Sequence, residues 1–64
     1  MKPKCKLVGK DGNIFNLMGI ASKTLKEENL KEKADEMVYR ITKSESYDEA
    51  LRIIMEYVEV EWYG

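Results

Sequence analysis

Histidine is absent from this 64-residue chain, and Cys5 is its only cysteine. Without an imidazole, the chain has no side chain that ordinarily titrates near neutral pH and so suits acid–base catalysis. A lone cysteine excludes an internal disulfide and a multi-cysteine zinc site, and it favours a reducing compartment. We therefore expect a cytoplasmic protein that is not an enzyme and that holds no metal or cofactor. The thiol of Cys5 is expected to serve in packing.

Long apolar runs are also missing. The basic segment from Met1 to Lys6 is not followed by the apolar stretch of a secretory signal. No segment approaches the ~20 apolar residues of a membrane-spanning helix. We expect neither export nor membrane insertion. The length leaves room for one small core, so residues 1–64 are predicted to form a single domain.

The charges are unevenly distributed along the chain. Up to Lys33 there are eight lysines against four acidic residues, and after it there are three basic against eight acidic residues. Such a division marks either a basic face for a polyanion or two halves that attract each other within the fold. The second interpretation is favoured, because the basic half carries only a moderate excess.

Two short segments alternate charged and apolar residues, which is typical of half-buried strands. They are residues 4–8, where lysines alternate with Cys5 and Leu7, and residues 58–62, where glutamates alternate with valine and tryptophan. The second segment is alternatively a last helical turn. We favour a strand pair, because a lone strand leaves its backbone groups unsatisfied where it is covered. This pairing would place Glu59 and Glu61 opposite the lysines.

Three amphipathic segments between the strands predict helices at about 16–28, 30–43 and 47–57, and hence an α+β fold that is mainly α. Gly19 inside the first helix is expected to mark a close backbone approach. Each helix is expected to begin at a side chain that accepts a backbone N–H. The predicted caps are Asn16 with a staple between Phe15 and Ile20, Asn29 with Glu32, and Ser46 with Glu49, followed by an Asp48–Arg52 pair.

The segment Gly9–Asn13 has the composition of a tight turn. As a phosphate-binding loop it lacks the spacing of a P-loop, although it precedes a helix N-terminus. As a calcium loop it lacks the third ligand pair and the distal glutamate. A plain turn is the favoured interpretation.

The third helix and the tail carry apolar residues in nearly every direction, and one helix face cannot bury all of them. Either this helix is sandwiched at the centre of the fold, or the surplus forms a patch that binds a protein partner or a second copy of the chain. These two interpretations stay open. The predicted interface residues are Ile53, Met55, Tyr57, Val60 and Trp62.

An alternative function is weak nucleic-acid binding through a lysine face. This interpretation competes with a plain solvated lysine surface, which is the better of the two because no recognition-helix motif is evident. The lysines concerned are Lys4, Lys6, Lys10, Lys23 and Lys26.

Several short segments of the chain resemble a known family. They are Gly9–Phe15, then Gly19, and later Ser44–Leu51 and Tyr57–Val60. Together they resemble a family of small uncharacterised bacterial proteins, often encoded in phages and mobile elements, with a Gly-x-Asp-Gly-Asn-x-Phe segment and a later Ser-x-Tyr-Asp segment. The resemblance implies a compact fold and a mobile-element context, and it assigns no activity and no site residues.

Overall fold

A computed structural model describes residues 2–8 and 13–63 of the chain. Within them, three helices lie between two strands, which confirms the predicted mainly α, α+β class. Lys10 and the rest of the predicted turn before Asn13 lie outside the described residues. In chain order the elements are β1 (Lys4–Val8), α1 (Ile14–Glu27), α2 (Lys31–Thr42), α3 (Tyr47–Tyr57) and β2 (Glu59–Tyr63).

The strands β1 and β2 pair in parallel, and they form a two-stranded sheet. In the register, Lys4 is the partner of Glu59 and Lys6 is the partner of Glu61, as the alternation of charges predicts. The hydrogen-bond ladder begins just before β1, where the amide of Glu59 donates to the carbonyl of Pro3 at 2.8 Å. The charge division along the sequence therefore places opposite charges at paired positions of the two strands, an arrangement that is favourable in a sheet.

The two faces of the sheet differ in polarity, because successive side chains of a strand point to opposite sides. The inner face consists of Cys5, Leu7, Val60 and Trp62, and the outer face consists of Lys4, Lys6, Glu59 and Glu61. Cys5 and Leu7 are buried in the core, whereas both outer-face lysines are exposed. Cys5 is 2% exposed and belongs to the core, so it serves in packing as expected. Its thiol also accepts a hydrogen bond from the Thr24 hydroxyl at 3.5 Å.

The core lies where the helices meet each other and the inner face of the sheet, with α1 packed against β1, α2 and α3. Each helix contributes residues three or four positions apart, which places them on one side of the helix. Burial of these apolar side chains is the main force that holds so short a chain together. Besides Cys5 and Leu7, the core contains Leu17, Ala21, Leu25, Ala34, Met37, Ile41, Ala50, Ile53, Ile54 and Val58.

The helix α1 begins earlier than predicted. Its N-cap is Asn13, whose side-chain oxygen accepts the amide of Phe15 at 2.9 Å, and Asn16 lies within the first turn. The predicted staple is also wrong, because Phe15 is 69% exposed and Ile20 is 42% exposed. Two asparagines stand three residues apart before the apolar stripe, and either suits a cap by residue type.

The turn between α1 and α2 forms a C-terminal cap of α1. The sequence predicted instead that Asn29 is the N-cap of α2. Asn29 adopts a left-handed backbone with φ of 62°, and its amide donates to the carbonyl of Lys26. The amide of Leu30 donates back to the carbonyl of Leu25 at 2.8 Å. These two bonds form a Schellman motif, which satisfies carbonyls at the end of α1. Leu30 then occupies the N-cap of α2 without a side-chain bond, so the predicted pair of Asn29 with Glu32 is wrong.

The start of α3 is predicted correctly. Ser46 is the N-cap, and its hydroxyl accepts the amide of Glu49 at 3.1 Å. The carboxylate of Glu49 reaches back to the amide of Glu45 at 3.3 Å, one residue before the position that a standard capping box uses. The predicted Asp48–Arg52 pair is not among the ion pairs of the described residues.

Gly19 does not mark a close approach. A Cβ atom added at this position would meet no other atom within 4 Å, and the residue is exposed on α1. The prediction was based on the propensity cost of glycine in a helix. That cost is therefore not compensated by packing at this position.

Candidate interaction surface

The predicted interface residues occupy quite different environments. Ile53 is 6% exposed and belongs to the core, so it contributes almost no surface. Tyr57 and Val60 are partly buried against the core. Met55 on α3 and Trp62 on β2 are exposed over 40% and 47% of their surface. Of the five residues, these two therefore present the most apolar surface to a partner.

Tyr57 is held by a network of polar side chains between α2 and α3. Its hydroxyl donates to the carboxylate of Glu36 at 2.7 Å and accepts a bond from Arg40 at 3.2 Å. Arg40 also binds both carboxylate oxygens of Glu56, at 2.8 and 3.0 Å. The guanidinium carbon lies 5.7 Å from the centre of the Tyr57 ring. Tyr57 is thus engaged within the fold at its polar end.

The electrostatics of this network follow from its hydrogen bonds. The bidentate contact with Glu56 raises the pKa of Arg40, and the same contact lowers the pKa of Glu56. The charge of Lys2 also lowers the pKa of Glu56. Partial burial is the main cause that raises the pKa of Tyr57, and its bond to Glu36 acts in the same direction. These directions keep Arg40 and Glu56 charged and Tyr57 neutral at neutral pH, as expected of a structural network.

The N-terminal segment adds a cation at the end of α3, which sequence reasoning did not find. The ammonium of Lys2 donates to the backbone carbonyl of Met55 at 3.0 Å. Carbonyls in the last turn of a helix carry a partial negative charge, so a lysine is favourable there. The signal was hidden because Lys2 lies 53 residues away from Met55 in the chain.

A second apolar surface, also missed, lies at the opposite end of α3 from Met55. A groove of about 470 Å³ is bordered by the first turns of α1 and α3 and by the end of α2. Phe15 and Tyr47 line it, and Tyr47 is 42% exposed. Ile14 and Met18 form part of the lining and pack against the core. The sequence signal for this surface was the pair of aromatic residues that stand beside helix starts.

The predicted lysine face is divided by the fold. Lys4 and Lys6 lie on the outer face of the sheet, in register with Glu59 and Glu61. Lys23 and Lys26 are exposed on α1, and the placement of the fifth lysine is not described. Glutamates next to lysines weaken the positive potential that attracts a polyanion.

The strand β2 has an open edge. Because the amide of Glu59 faces β1, the backbone groups of Glu59 and Glu61 are directed to β1, and those of Val60 and Trp62 are directed to the other side. We call the N–H and C=O groups of Val60 and Trp62 the β2 edge. Within residues 2–8 and 13–63, the sheet has two strands only. No hydrogen bond from another part of these residues reaches the β2 edge.

No helix among the described residues is long and apolar enough to cross a membrane. Comparisons of the chain with protein-family models, with curated proteins and with solved structures found no match. The resemblance to small bacterial proteins of mobile elements therefore stays a prediction. Its second motif is also imperfect, because this chain has Ser46, Tyr47 and Asp48 in direct succession, without the intervening residue.

Proposed function

We propose that this chain is a non-catalytic protein-interaction module that binds its partner through the β2 edge and the neighbouring side chain of Trp62. The observation that carries the proposal is the open edge of β2 beside a half-exposed tryptophan. An exposed edge presents a row of unpaired backbone donors and acceptors, which is a template for another strand. Tryptophan is enriched among the residues that dominate binding energies.

The size of the sheet supports the same proposal. A sheet of two strands gains stability when a third strand is added, because both the hydrogen-bond ladder and the apolar face are extended. Strand addition is a common mode of protein recognition, in which the backbone supplies affinity and alternate side chains supply specificity. Val60 and Trp62 carry the side chains that would contact an added strand on the inner face.

Met55 on α3 is proposed as an additional contact residue. It is exposed over 40% of its surface and is fixed near the end of the helix, where its carbonyl binds Lys2. Methionine adapts its shape to different apolar partners, and it is frequent at binding surfaces. Its contribution is proposed to be secondary to that of the β2 edge.

Nucleic-acid binding is the less favoured alternative. The two lysines of the sheet are each paired in register with a glutamate, and the remaining candidates on α1 are two separate exposed lysines. Binding through phosphates requires several basic groups that act together, and it weakens steeply with salt. Retardation of labelled DNA or RNA at low salt, lost at moderate salt, would favour this alternative.

The proposal includes a cytoplasmic location and a mobile-element context. The location is inferred from the single cysteine, because reduced thiols persist in the cytoplasm. The context is inferred from the resemblance alone. Neither inference affects the choice of surface.

The experiment that tests the proposed function compares three proteins: the wild-type chain, Trp62→Glu and the control Tyr39→Glu. Tyr39 is a matched control because it is an aromatic residue on α2 with 64% exposure. Each protein is immobilised and used to capture partners from an extract of the native host, and its mass in solution is measured by light scattering over a wide concentration range. Circular dichroism verifies that the variants are folded.

We expect a partner or a second copy to bind the wild-type chain and Tyr39→Glu, and to be lost with Trp62→Glu. The proposed function is wrong if the wild-type chain is a strict monomer and captures the same proteins as Trp62→Glu. It is also wrong if Tyr39→Glu abolishes binding and Trp62→Glu does not.

A further inference from the structure

The outer face of the sheet carries a regular charge pattern that bears on what can pair with β2. Two lysines of β1 stand beside two glutamates of β2, Lys4 with Glu59 and Lys6 with Glu61. Side chains at paired positions of neighbouring strands lie about 5 Å apart, and opposite charges there are favourable. A strand added to the β2 edge would place its own side chains at the same distance on the other side of the glutamates.

This pattern disfavours symmetric pairing of two β2 strands. In a two-fold dimer joined through the β2 edge, the strands run antiparallel and share one outer face. Glu59 and Glu61 of one copy would then stand opposite the same glutamates of the other copy. Like charges directly opposite each other destabilise a strand pair. The charge pattern therefore favours a strand whose composition differs from that of β2.

The inner face sets a second requirement. Val60 is partly buried against the core, and Trp62 is 47% exposed on the same side of the sheet. Apolar side chains on an incoming strand would cover the exposed part of Trp62 and remove apolar surface from water. Because residues of a strand alternate between faces, the apolar and the charged positions must alternate as well.

We infer that the β2 edge accepts an extended segment of another protein in which lysine or arginine alternates with apolar residues. The basic side chains of this segment lie beside Glu59 and Glu61, and its apolar side chains lie beside Val60 and Trp62. This inference rests on the proposed function and names the chemistry of its partner. The strand β1 has the same alternation, Lys-Cys-Lys-Leu, and already pairs with β2 on its other side.

The test uses four synthetic six-residue peptides and the nitrogen-15-labelled chain. The first peptide is Lys-Val-Lys-Leu-Lys-Val, the second has glutamate in place of each lysine, and the third has threonine there. Blocked termini keep the charge on the side chains. A fourth peptide repeats the lysine sequence with every backbone nitrogen methylated, which removes the donors from both edges of the strand. Binding is followed by the amide shifts of Val60 and Trp62.

We expect the lysine peptide to shift the amides of Val60 and Trp62 and to slow their hydrogen exchange. The glutamate peptide should bind roughly tenfold more weakly or worse, as cross-strand charge pairs at two positions imply. The methylated peptide should not bind. In the chain itself, Glu59→Gln combined with Glu61→Gln should abolish the preference. The matched control is Glu27→Gln combined with Glu28→Gln, at two exposed glutamates where α1 ends.

Three results would overturn the inference. Equal binding of the lysine, threonine and glutamate peptides would remove the charge selection and leave the proposed function intact. Absence of any shift at Val60 and Trp62 would remove the edge as a site for basic strands, whereas the capture experiment tests the proposed function independently. Growth of the chain into open-ended oligomers in the light-scattering experiment would assign the edge to a second copy.

Discussion

Arg40 on α2 binds Glu56 on α3 through both ends of its guanidinium group, at 2.8 and 3.0 Å. The two residues lie 16 positions apart in the chain, so the contact fixes one helix against the other. A bidentate geometry is the most favourable one for an arginine–carboxylate pair. Both side chains are about half exposed, so solvent screening limits the contribution of the pair to stability.

The Arg40–Glu56 pair predicts an acid-dependent loss of stability. The bond to Arg40 lowers the pKa of Glu56. Because a carboxyl group with a lowered pKa in the folded state stabilises the fold only while it is ionised, this contribution is complete above the ordinary range of glutamate and is lost as the pH falls through the lowered value. Thermal unfolding should therefore show a lower Tm for Glu56→Gln at neutral pH, and the difference from the wild type should vanish in acid.

The control for this measurement is Glu27→Gln, at an exposed glutamate of α1. Its Tm should follow that of the wild type at every pH. A difference between Glu56→Gln and the wild type that stays constant down to strongly acidic pH would contradict the assignment.

The hydroxyl of Ser46 caps α3, and its removal should destabilise the chain. We expect Ser46→Ala to lower the free energy of unfolding by ~1 kcal/mol, because the amide of Glu49 loses its acceptor. Chemical denaturation measures this difference. Ser22→Ala, in the middle of α1, is a matched control that should change stability little or slightly increase it. An equal loss for both variants would point to a general effect of serine removal.

Gly19 offers a stabilising substitution. An added Cβ atom meets open space at this exposed helical position, and alanine restricts the unfolded chain more than glycine does. We expect Gly19→Ala to raise the free energy of unfolding by about 0.5–1 kcal/mol. A higher denaturation midpoint with an unchanged slope would confirm it. A decrease in stability would mean that a side chain at this position meets neighbouring atoms.

At Asn29, in contrast to position 19, glycine is expected to be the favourable residue. The φ of 62° at Asn29 suits glycine and asparagine, and it is strained for a β-branched residue. Asn29→Gly should leave stability unchanged or raise it, whereas Asn29→Val should lower the free energy of unfolding by about 1–2 kcal/mol. Thermal and chemical unfolding of the two variants measure the difference. Similar stabilities for glycine and valine would contradict the Schellman motif at the end of α1.

The sequence predicts those parts of the fold where periodicity and charge agree. The alternation in 58–62 and the lysines of β1 together indicate the strand pair and its register, although the observed strand is displaced by one residue, to Glu59–Tyr63. The start of α3 is also predictable, because Ser46 is the suitable cap directly before an apolar stripe.

Helix boundaries were harder to predict where two residues suit the same role. Asparagine favours both N-caps and left-handed C-terminal positions, so Asn29 fits either side of the corner between α1 and α2. Its backbone conformation depends on whether it ends α1 or begins α2. The hydrogen bond from the amide of Leu30 to the carbonyl of Leu25 shows that it ends α1. No local pattern contains that information.

The interface prediction was limited in another way. Counting apolar residues on α3 shows a surplus, but it cannot tell which of them face the core. Ile53 is buried and Met55 is exposed, although both belong to the same apolar run. The open β2 edge is a property of the strand order, and the groove beside Phe15 and Tyr47 depends on how three helices converge.

The strand pair also determines the order in which the chain can fold. Partners in the β1–β2 ladder are 55 residues apart, so pairing requires nearly the whole chain to close into one loop. Loop-closure entropy makes such distant contacts slow to form compared with helices. During synthesis all three helices emerge before β2 does, and Leu7 has no neighbouring strand until then. We expect the helices to collapse first and the sheet to form as the final, rate-limiting event.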